Sequence, residues 1–242
     1  MRIGIISDIH SNLEALNAVL NFADSQKIDE YVCLGDIVGY GANPNECIDV
    51  IKNLTNKIVA GNHDFGVCGF TNISNFNDVA RTAIEWTKKN IRKDNLEFLK
   101  SLPLKLEYKK TLFVHSTPSY PDQWNYIFSM HDALLEFDFF SNQVCFVGHS
   151  HQPVVFSINA MHEIGTSIED TILLSNKKRY IINAGSVGQP RDGCPKSSFL
   201  IYDYKNKEIT FSRIEYNIKK AQEKIIDAGL PPFLAERLSL GR

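Results

Sequence analysis

No apolar run in this sequence approaches the ~20 residues that a membrane-spanning helix needs. The short stretch Ile3–Ile6 meets Asp8 too early to be the core of a secretion signal. Cysteine is sparse and scattered: Cys33, Cys47, Cys68, Cys145 and Cys194 form no Cys-x-x-Cys pair, which leaves neither a disulfide framework nor a thiolate zinc cage. None of them opens a Cys-x5-Arg loop, so cysteine-based phosphate chemistry is excluded. Charge of one sign is not in excess either, with 26 Lys and Arg against 28 Asp and Glu for a net −2. That balance argues against a broad footprint for duplex nucleic acid and leaves room for a nucleotide or other small phosphate ester. Repeats, low-complexity tracts and long linkers are missing as well. A cytoplasmic protein folded as one domain over residues 1–242 is expected, with nothing against a homo-oligomer.

What is present begins as a strand–helix alternation. Met1–Ser7 predicts a buried strand. Ser11 and Glu14 have capping-box spacing before a helix that buries Leu13, Leu16, Leu20 and Ala23. Tyr31–Leu34 predicts a second strand, Asn43-Pro44 a helix start, and Lys57–Ala60 a third strand. Residues Asn77 to Leu99 predict a helix broken near Lys93-Asp94-Asn95. Beyond Pro103 the pattern changes to short strands: a hairpin of Leu104–Tyr108 and Thr111–His115, then Val144–Val147, Val154–Ile158, Thr171–Leu174, Tyr180–Asn183, Phe199–Tyr204 and Glu208–Ile214. Asn217–Ala228 closes as a helix before Gly229, and a last helical turn or two covers Phe233–Leu238. The pattern is α/β, with helices outside two sheets.

Five polar clusters each follow directly on a predicted strand: Asp8-x-His10, Gly35-Asp36-x-x-Gly39, Gly61-Asn62-His63-Asp64, His115 alone, and Gly148-His149-Ser150-His151. Ligand sites in open α/β sheets form beyond the carboxyl ends of the strands, so these clusters are expected to converge. Asp8 and His10 would point to one side in an extended segment, and His149 and His151 likewise. Imidazole and carboxylate donors without thiolate suit Mn²⁺, Fe or Zn²⁺. They are more numerous than one tetrahedral ion needs, and a pair of ions ~3.5–4 Å apart would use them all. Any one of these residues alone is more often a turn or capping residue; the weight lies in the set.

In this order the motifs resemble the calcineurin-like metallophosphoesterase superfamily, over nearly the whole chain. The stretch Asn183-Ala184-Gly185-Ser186-Val187-Gly188-Gln189-Pro190-Arg191-Asp192-Gly193 is similar to a loop of its compact prokaryotic members, although Ala184 stands where proline is common. The resemblance implies a four-layer α/β/β/α sandwich of two mixed β-sheets flanked by helices. It also implies a dinuclear metal-dependent phosphoesterase, in which a hydroxide bridging two divalent ions attacks phosphorus in line. Manganese is favoured, with Fe, Zn, Ni or Mg as alternatives. Asp8, His10 and His151 would hold one ion, Asn62, His115 and His149 the other, and Asp36 would bridge them. A protonated His63 would stand beside the leaving group, its imidazole held by Asp64.

Other residues carry less. Arg191 could grip a substrate phosphate bidentately or be a solvated loop arginine. Tyr40 and Asn43 follow Asp36 closely enough to reach a substrate. Trp86 and Trp124 read as packing residues, Lys177-Lys178-Arg179 as a solvated face, and His131 and His162 as histidines outside any site. Phosphodiester or nucleotide substrates are favoured for so compact a chain. A serine/threonine phosphoprotein phosphatase, a dinucleoside polyphosphate hydrolase, a metal-dependent nuclease and a non-catalytic scaffold on the same fold are the competing functions.

Overall fold

A computed structural model describes all residues 1–242. The chain runs β1 (Arg2–Ile6), α1 (Leu13–Asp24), β2 (Glu30–Cys33), α2 (Pro44–Leu54), α3 (Asn62–Cys68), α4 (Asp78–Asn90), α5 (Lys93–Lys100), β3 (Lys105–Tyr108) and β4 (Thr111–Val114). It continues through α6 (Met130–Glu136), β5 (Val144–Val147), β6 (Val154–Asn159), β7 (Ile164–Ser167), β8 (Thr171–Leu173), β9 (Lys178–Asn183), β10 (Ser197–Asp203), β11 (Glu208–Ile214), α7 (Ile218–Asp227) and α8 (Pro232–Glu236). One sheet has the order β2-β1-β10-β11-β8 and the other β3-β4-β5-β9-β6-β7. Both are mixed: β1–β2, β4–β5 and β5–β9 are parallel pairs, and the remaining pairs are antiparallel.

The period-two alternation of the strands builds the layers. Ile3, Ile5, Leu200 and Tyr202 face Phe113, Phe146 and Ile182 between the sheets. Phe146 lies 5.5 Å from Phe113 in its own sheet and 5.4 Å from Tyr202 in the other. The opposite positions of the first sheet, Ile6, Cys33, Phe199 and Ile201, pack under Leu16 and Val19 of α1 and Cys47, Ile48 and Ile51 of α2. The outer face of the second sheet, with Leu112, Val114, Cys145 and Ile181, is covered by Ala133 of α6 and by Phe137. Helix, sheet, sheet and helix thus form the expected four-layer sandwich. Ala221 and Ile225 of α7 and Leu234 of α8 pack on Ala80 and Ala83 of α4. No helix is long and apolar enough to cross a membrane.

Several local expectations are corrected. The cap of α1 is Asn12, whose Oδ1 accepts from Ala15 N at 3.1 Å, and not Ser11. Ser11 still lies in the preceding loop, at φ +54 with its N–H donated to Ile37. Glu14 does not close a capping box and instead pairs with Lys224 of α7 at 2.6 Å. Lys57–Ala60 forms a single bridge, Ile58 to Cys33, because Ala60 turns its N–H away to Pro103. The break between α4 and α5 falls at Ile91-Arg92, two residues early. Three short elements, α3, α6 and β7, have no counterpart in the sequence reading. Arg179 is no solvated residue: it stacks on Phe140 with 4.6 Å from guanidinium carbon to ring centroid and donates to the Phe137 carbonyl at 2.7 Å.

Candidate metal centre

The parallel strands β1, β2, β4 and β5 all end at one edge of the sandwich; four of the polar clusters leave from those ends, and the fifth, Gly61–Asp64, leaves from the Lys57–Ala60 segment bridged to β2. Backbone hydrogen bonds lace the exits together: Asp8 N–H donates to Gly35, His10 N–H to Asp36, and Gly148 N–H to His115. The segments are not extended. Asp8, His10, Asp36, His149 and His151 have φ between 50° and 67°, the left-handed region, at a cost of about 1–3 kcal/mol each. The resulting turns, and not an extended pleat, bring Asp8 and His10 to one side. Strain of this kind persists where the surrounding structure over-determines it. At Gly148 a β-carbon would stand 2.6 Å from Asp8 Oδ2, so only glycine lets the β5 exit close on that carboxylate.

Each candidate donor is oriented by a second contact. Asp8 Oδ2 accepts from Ser7 Oγ at 2.6 Å and His149 N at 3.1 Å, leaving the buried Oδ1 without a hydrogen bond. Asp36 Oδ1 accepts from His63 N at 2.8 Å, which leaves Oδ2 facing His115 Nε2 at 3.4 Å and His10 Nε2 at 3.6 Å. The histidines follow the same logic. Nδ1 of His10, His115 and His151 meets the carbonyls of Val38, Leu34 and Gln189 at 3.1, 2.7 and 2.5 Å. His149 is reversed, with Nε2 on the Trp124 carbonyl at 2.8 Å. A carbonyl only accepts, so these ring nitrogens carry the protons and the opposite nitrogens face the cluster.

Two of those inward nitrogens, His10 Nε2 and His151 Nε2, lie 3.0 Å apart. With Nδ1 protonated on both rings, two lone pairs confront each other in a buried site beside the unpartnered Asp8 Oδ1, 3.2 Å from His151 Nε2. A cation between them resolves the clash. Asp8, His10 and His151 form one group with ligand atoms close enough for one ion, and Asp36, His115 and His149 form another. His10, Asp36 and His63 also satisfy that spacing. The donor set, with Asn62 Oδ1 3.2 Å from His115 Nε2, fits divalent metal.

Electrostatics sort the rings in the metal-free protein. Burial pushes His149 down to about 3 and His63 to about 4, and lowers His10 and His151 as well. Burial also disfavours charge on His115, but Asp36 and Asp8 outweigh it and hold this imidazole up to about 9. Asp8 and Asp36 sit well below the usual carboxylate range: burial opposes this, and the facing histidines override it.

His63 and Asp64 differ from what the resemblance implies. Asp64 does not hold the His63 imidazole. Its Oδ1 accepts from Ile37 N and Val38 N at 3.0 and 3.2 Å, and its Oδ2 from Gly61 N at 3.0 Å, which ties the β2 exit to the start of α3. Burial and Asp36 push its carboxyl up to about 7 against the pull of those N–H groups. His63 Nδ1 is buried without a hydrogen bond, and the ring is fixed by packing, 4.4 Å from Tyr40, 4.9 Å from His10 and 5.4 Å from Phe76 between centroids. In the free protein this imidazole is neutral, not protonated.

A cavity of about 320 Å³ opens over the cluster, walled by Tyr40, Phe76, Trp124, Tyr126 and Arg191 and by the carboxamides of Asn72, Asn75, Asn77 and Gln123. Arg191 lies at this mouth, its Nε and Nη2 on Gln189 Oε1 at 3.2 and 2.8 Å. Asn43 does not reach it and is bonded to Lys224 at 2.9 Å. Trp86 is a packing residue, donating to Ala228, whereas Trp124 is not only that: its carbonyl orients His149. Tyr126, stacked on His149 at 3.9 Å, went unread in the sequence. The signal was there, since Tyr120, Trp124, Tyr126 and Phe128 crowd one loop after His115. The Asn183–Gly193 stretch braces the centre through Ser186 Oγ and Gly188 N–H, both donating to the Asp8 carbonyl, and Gln189 O, which holds His151. Ala184 uses an N–H that proline lacks to donate to Val147.

A sandwich of two mixed sheets with aspartates and histidines converging at its strand ends defines a metallophosphoesterase fold. The chain belongs to the calcineurin-like phosphoesterase superfamily, whose domain model matches residues 1–207. An uncharacterized protein of Methanocaldococcus jannaschii is 50% identical over 247 residues, covering 99% of this chain and 98% of its own. The crystal structure of a metallophosphoesterase from Sphaerobacter thermophilus is 40% identical, with a TM-score of 0.87 over 100% of this chain and 99% of that one. A hypothetical protein from Pyrococcus horikoshii OT3 shares the fold at 21% identity and a TM-score of 0.81, over 100% and 98% of the two chains.

Proposed function

We propose that this protein hydrolyses phosphate esters at a dinuclear metal centre, with phosphodiesters or nucleotides as its preferred substrates. The observation that carries the reading is the His10–His151 pair, whose inward nitrogens lie 3.0 Å apart with no proton to share. Asp8, His10 and His151 would hold one ion, Asn62, His115 and His149 the second, and Asp36 would contact both. Two divalent ions bound there would activate water and offset the negative charge of the phosphoryl oxygens.

The chain's own groups supply the rest. His63 would meet the departing oxygen: an arriving anion raises the affinity of this neutral ring for a proton, and a ring N–H donated to the leaving group is worth about 10²–10⁴-fold. Asp64 is a positioning residue, fixing the loop that carries Asp36 against the helix that carries His63. The aromatic and carboxamide walls of the cavity suit a nucleoside better than a phosphoprotein surface. Residues 1–242 are taken as one domain, supported by the packing of α7 and α8 on α4. Five unpaired cysteines, three of them buried, suit the cytoplasm.

The test is hydrolysis of bis-p-nitrophenyl phosphate by chelator-stripped protein, before and after Mn²⁺ is restored. Turnover that appears only with metal is expected. Two bound ions without diester turnover would move the preference to monoesters, and protein that binds no ion would overturn the ligand set.

A further inference from the structure

A second recess of about 330 Å³ adjoins the cavity and shares Tyr40, Tyr126 and Arg191 with it, adding Phe233 and Arg237 from the C-terminal segment. The guanidinium carbons of Arg191 and Arg237 lie 5.6 and 5.9 Å from the same Tyr40 ring centroid. Neither arginine is paired with an Asp or Glu side chain. The Arg191 guanidinium donates Nε and Nη2 to the neutral Gln189 side chain, and Arg237 Nε donates to a main-chain oxygen of Arg242, the last residue, while its two terminal amino groups make no hydrogen bond. Asp78, the one carboxylate in the lining, is engaged by Arg81 at 2.6 Å. Burial, with Arg191 adding to it, pushes Arg237 down to about 10.

The chain is built to keep the two cations together. Gly193 N–H donates to the Gly241 carbonyl at 3.0 Å, which fastens the loop of Arg191 to the segment of Arg237. Gln222 of α7 donates to Ala235 at 2.9 Å and anchors that segment from behind. Like charges held half-buried without an Asp or Glu side chain between them destabilise the empty site, and an anion bound between them recovers that free energy. Planar guanidinium groups with free amino edges match a phosphate in particular. Tyr40 is the spacer, its ring 4.4 Å from His63 and 4.7 Å from His10, so the recess begins one ring away from the reacting centre.

We propose that Arg191 and Arg237 form a second anion subsite for a non-scissile phosphate, making a small phosphate ester with a second phosphoryl group the preferred substrate. The substrate assignment rests on the phosphoesterase reading; the subsite itself does not.

The test is calorimetric binding of thymidine 3′,5′-bisphosphate and thymidine 5′-monophosphate, to metal-loaded and to chelator-stripped protein. The wild-type chain is expected to prefer the bisphosphate by about 10- to 100-fold, the worth of one or two hydrogen bonds to a charged group. Arg237→Gln should bring the ratio of affinities close to one. Arg237→Lys should keep part of it, since a point charge remains without the planar fork. Arg237→Met takes the place of the glutamine variant if thermal unfolding shows that variant misfolded. Equal affinity for the two ligands in the wild type, or an undiminished preference in a folded Gln or Met variant, would overturn the subsite. A preference that persists while metal-loaded protein hydrolyses no ester would support the subsite and remove the esterase reading.

Discussion

The α-carbon of Gly188 lies against the carbonyl oxygen of Ile9 so closely that a β-carbon there would overlap it. The contact seats the Asn183–Gly193 stretch on the exit of β1, where Gly188 N–H donates to the Asp8 carbonyl and its own carbonyl accepts from Asn12 at 2.8 Å. Gly188→Ala should destabilise the fold by about 1–3 kcal/mol, the usual cost of overpacking. It should also weaken metal binding, because the same stretch orients His151. Urea unfolding and metal content measured on one preparation check both effects; an alanine variant with wild-type values would mean the stretch yields without disturbing the centre.

His63 and Asp36 should separate under mutation. His63→Ala leaves every proposed ligand in place, so bound metal is retained while kcat falls by about 10²–10⁴-fold. Asp36→Asn removes the shared carboxylate, and metal and turnover are both lost. Metal analysis beside steady-state kinetics distinguishes the variants, and full activity in His63→Ala would end the role assigned to that ring.

Chelation should lower thermal stability by bringing back the confrontation of His10 and His151. Restoring Mn²⁺ at a free concentration 100 times its dissociation constant should return about 2.7 kcal/mol through linkage. A melting temperature indifferent to chelator and metal would contradict the cation sites.

The metal-free protein should be most stable near pH 6.5. As pH falls below that value the unfolded chain protonates His10, His63, His149 and His151, whose folded forms resist protonation by burial, so stability drops towards pH 4. Asp64, raised to about 7, works in the opposite sense over that range, one group against four. Above pH 6.5, His115 keeps in the folded state a proton that the unfolded chain releases, and the stability this gives is lost as pH rises to about 9. Denaturant midpoints at pH 5, 6.5 and 8.5 test the sign on each side.

The placement of the centre was legible because strand ends carry it: Asp8, Asp36, His115 and His149 each follow a short apolar run closely. Backbone conformation was not legible. Nothing in Asp8-x-His10 announces a positive φ at both residues, since the conformation is imposed by hydrogen bonds to Gly35 and Asp36 from another strand. The role of Asp64 was hidden for the same reason, its acceptors' partners Ile37 and Val38 lying 27 and 26 residues away. Arg237 is 46 positions from Arg191, and only the return of the C-terminal segment joins them. Helix α3 was too short for periodicity to register.

The carbonyls that steer the four histidines proposed as ligands belong to Leu34, Val38, Trp124 and Gln189. A backbone carbonyl is the same whatever side chain accompanies it. The outer support of the centre is therefore written in the path of the chain, and its amino-acid identities are free to drift wherever that path is kept. Related sequences could diverge at all four positions and still aim their imidazoles identically, while a single inserted residue in any of these loops would misdirect a ring without altering one ligand.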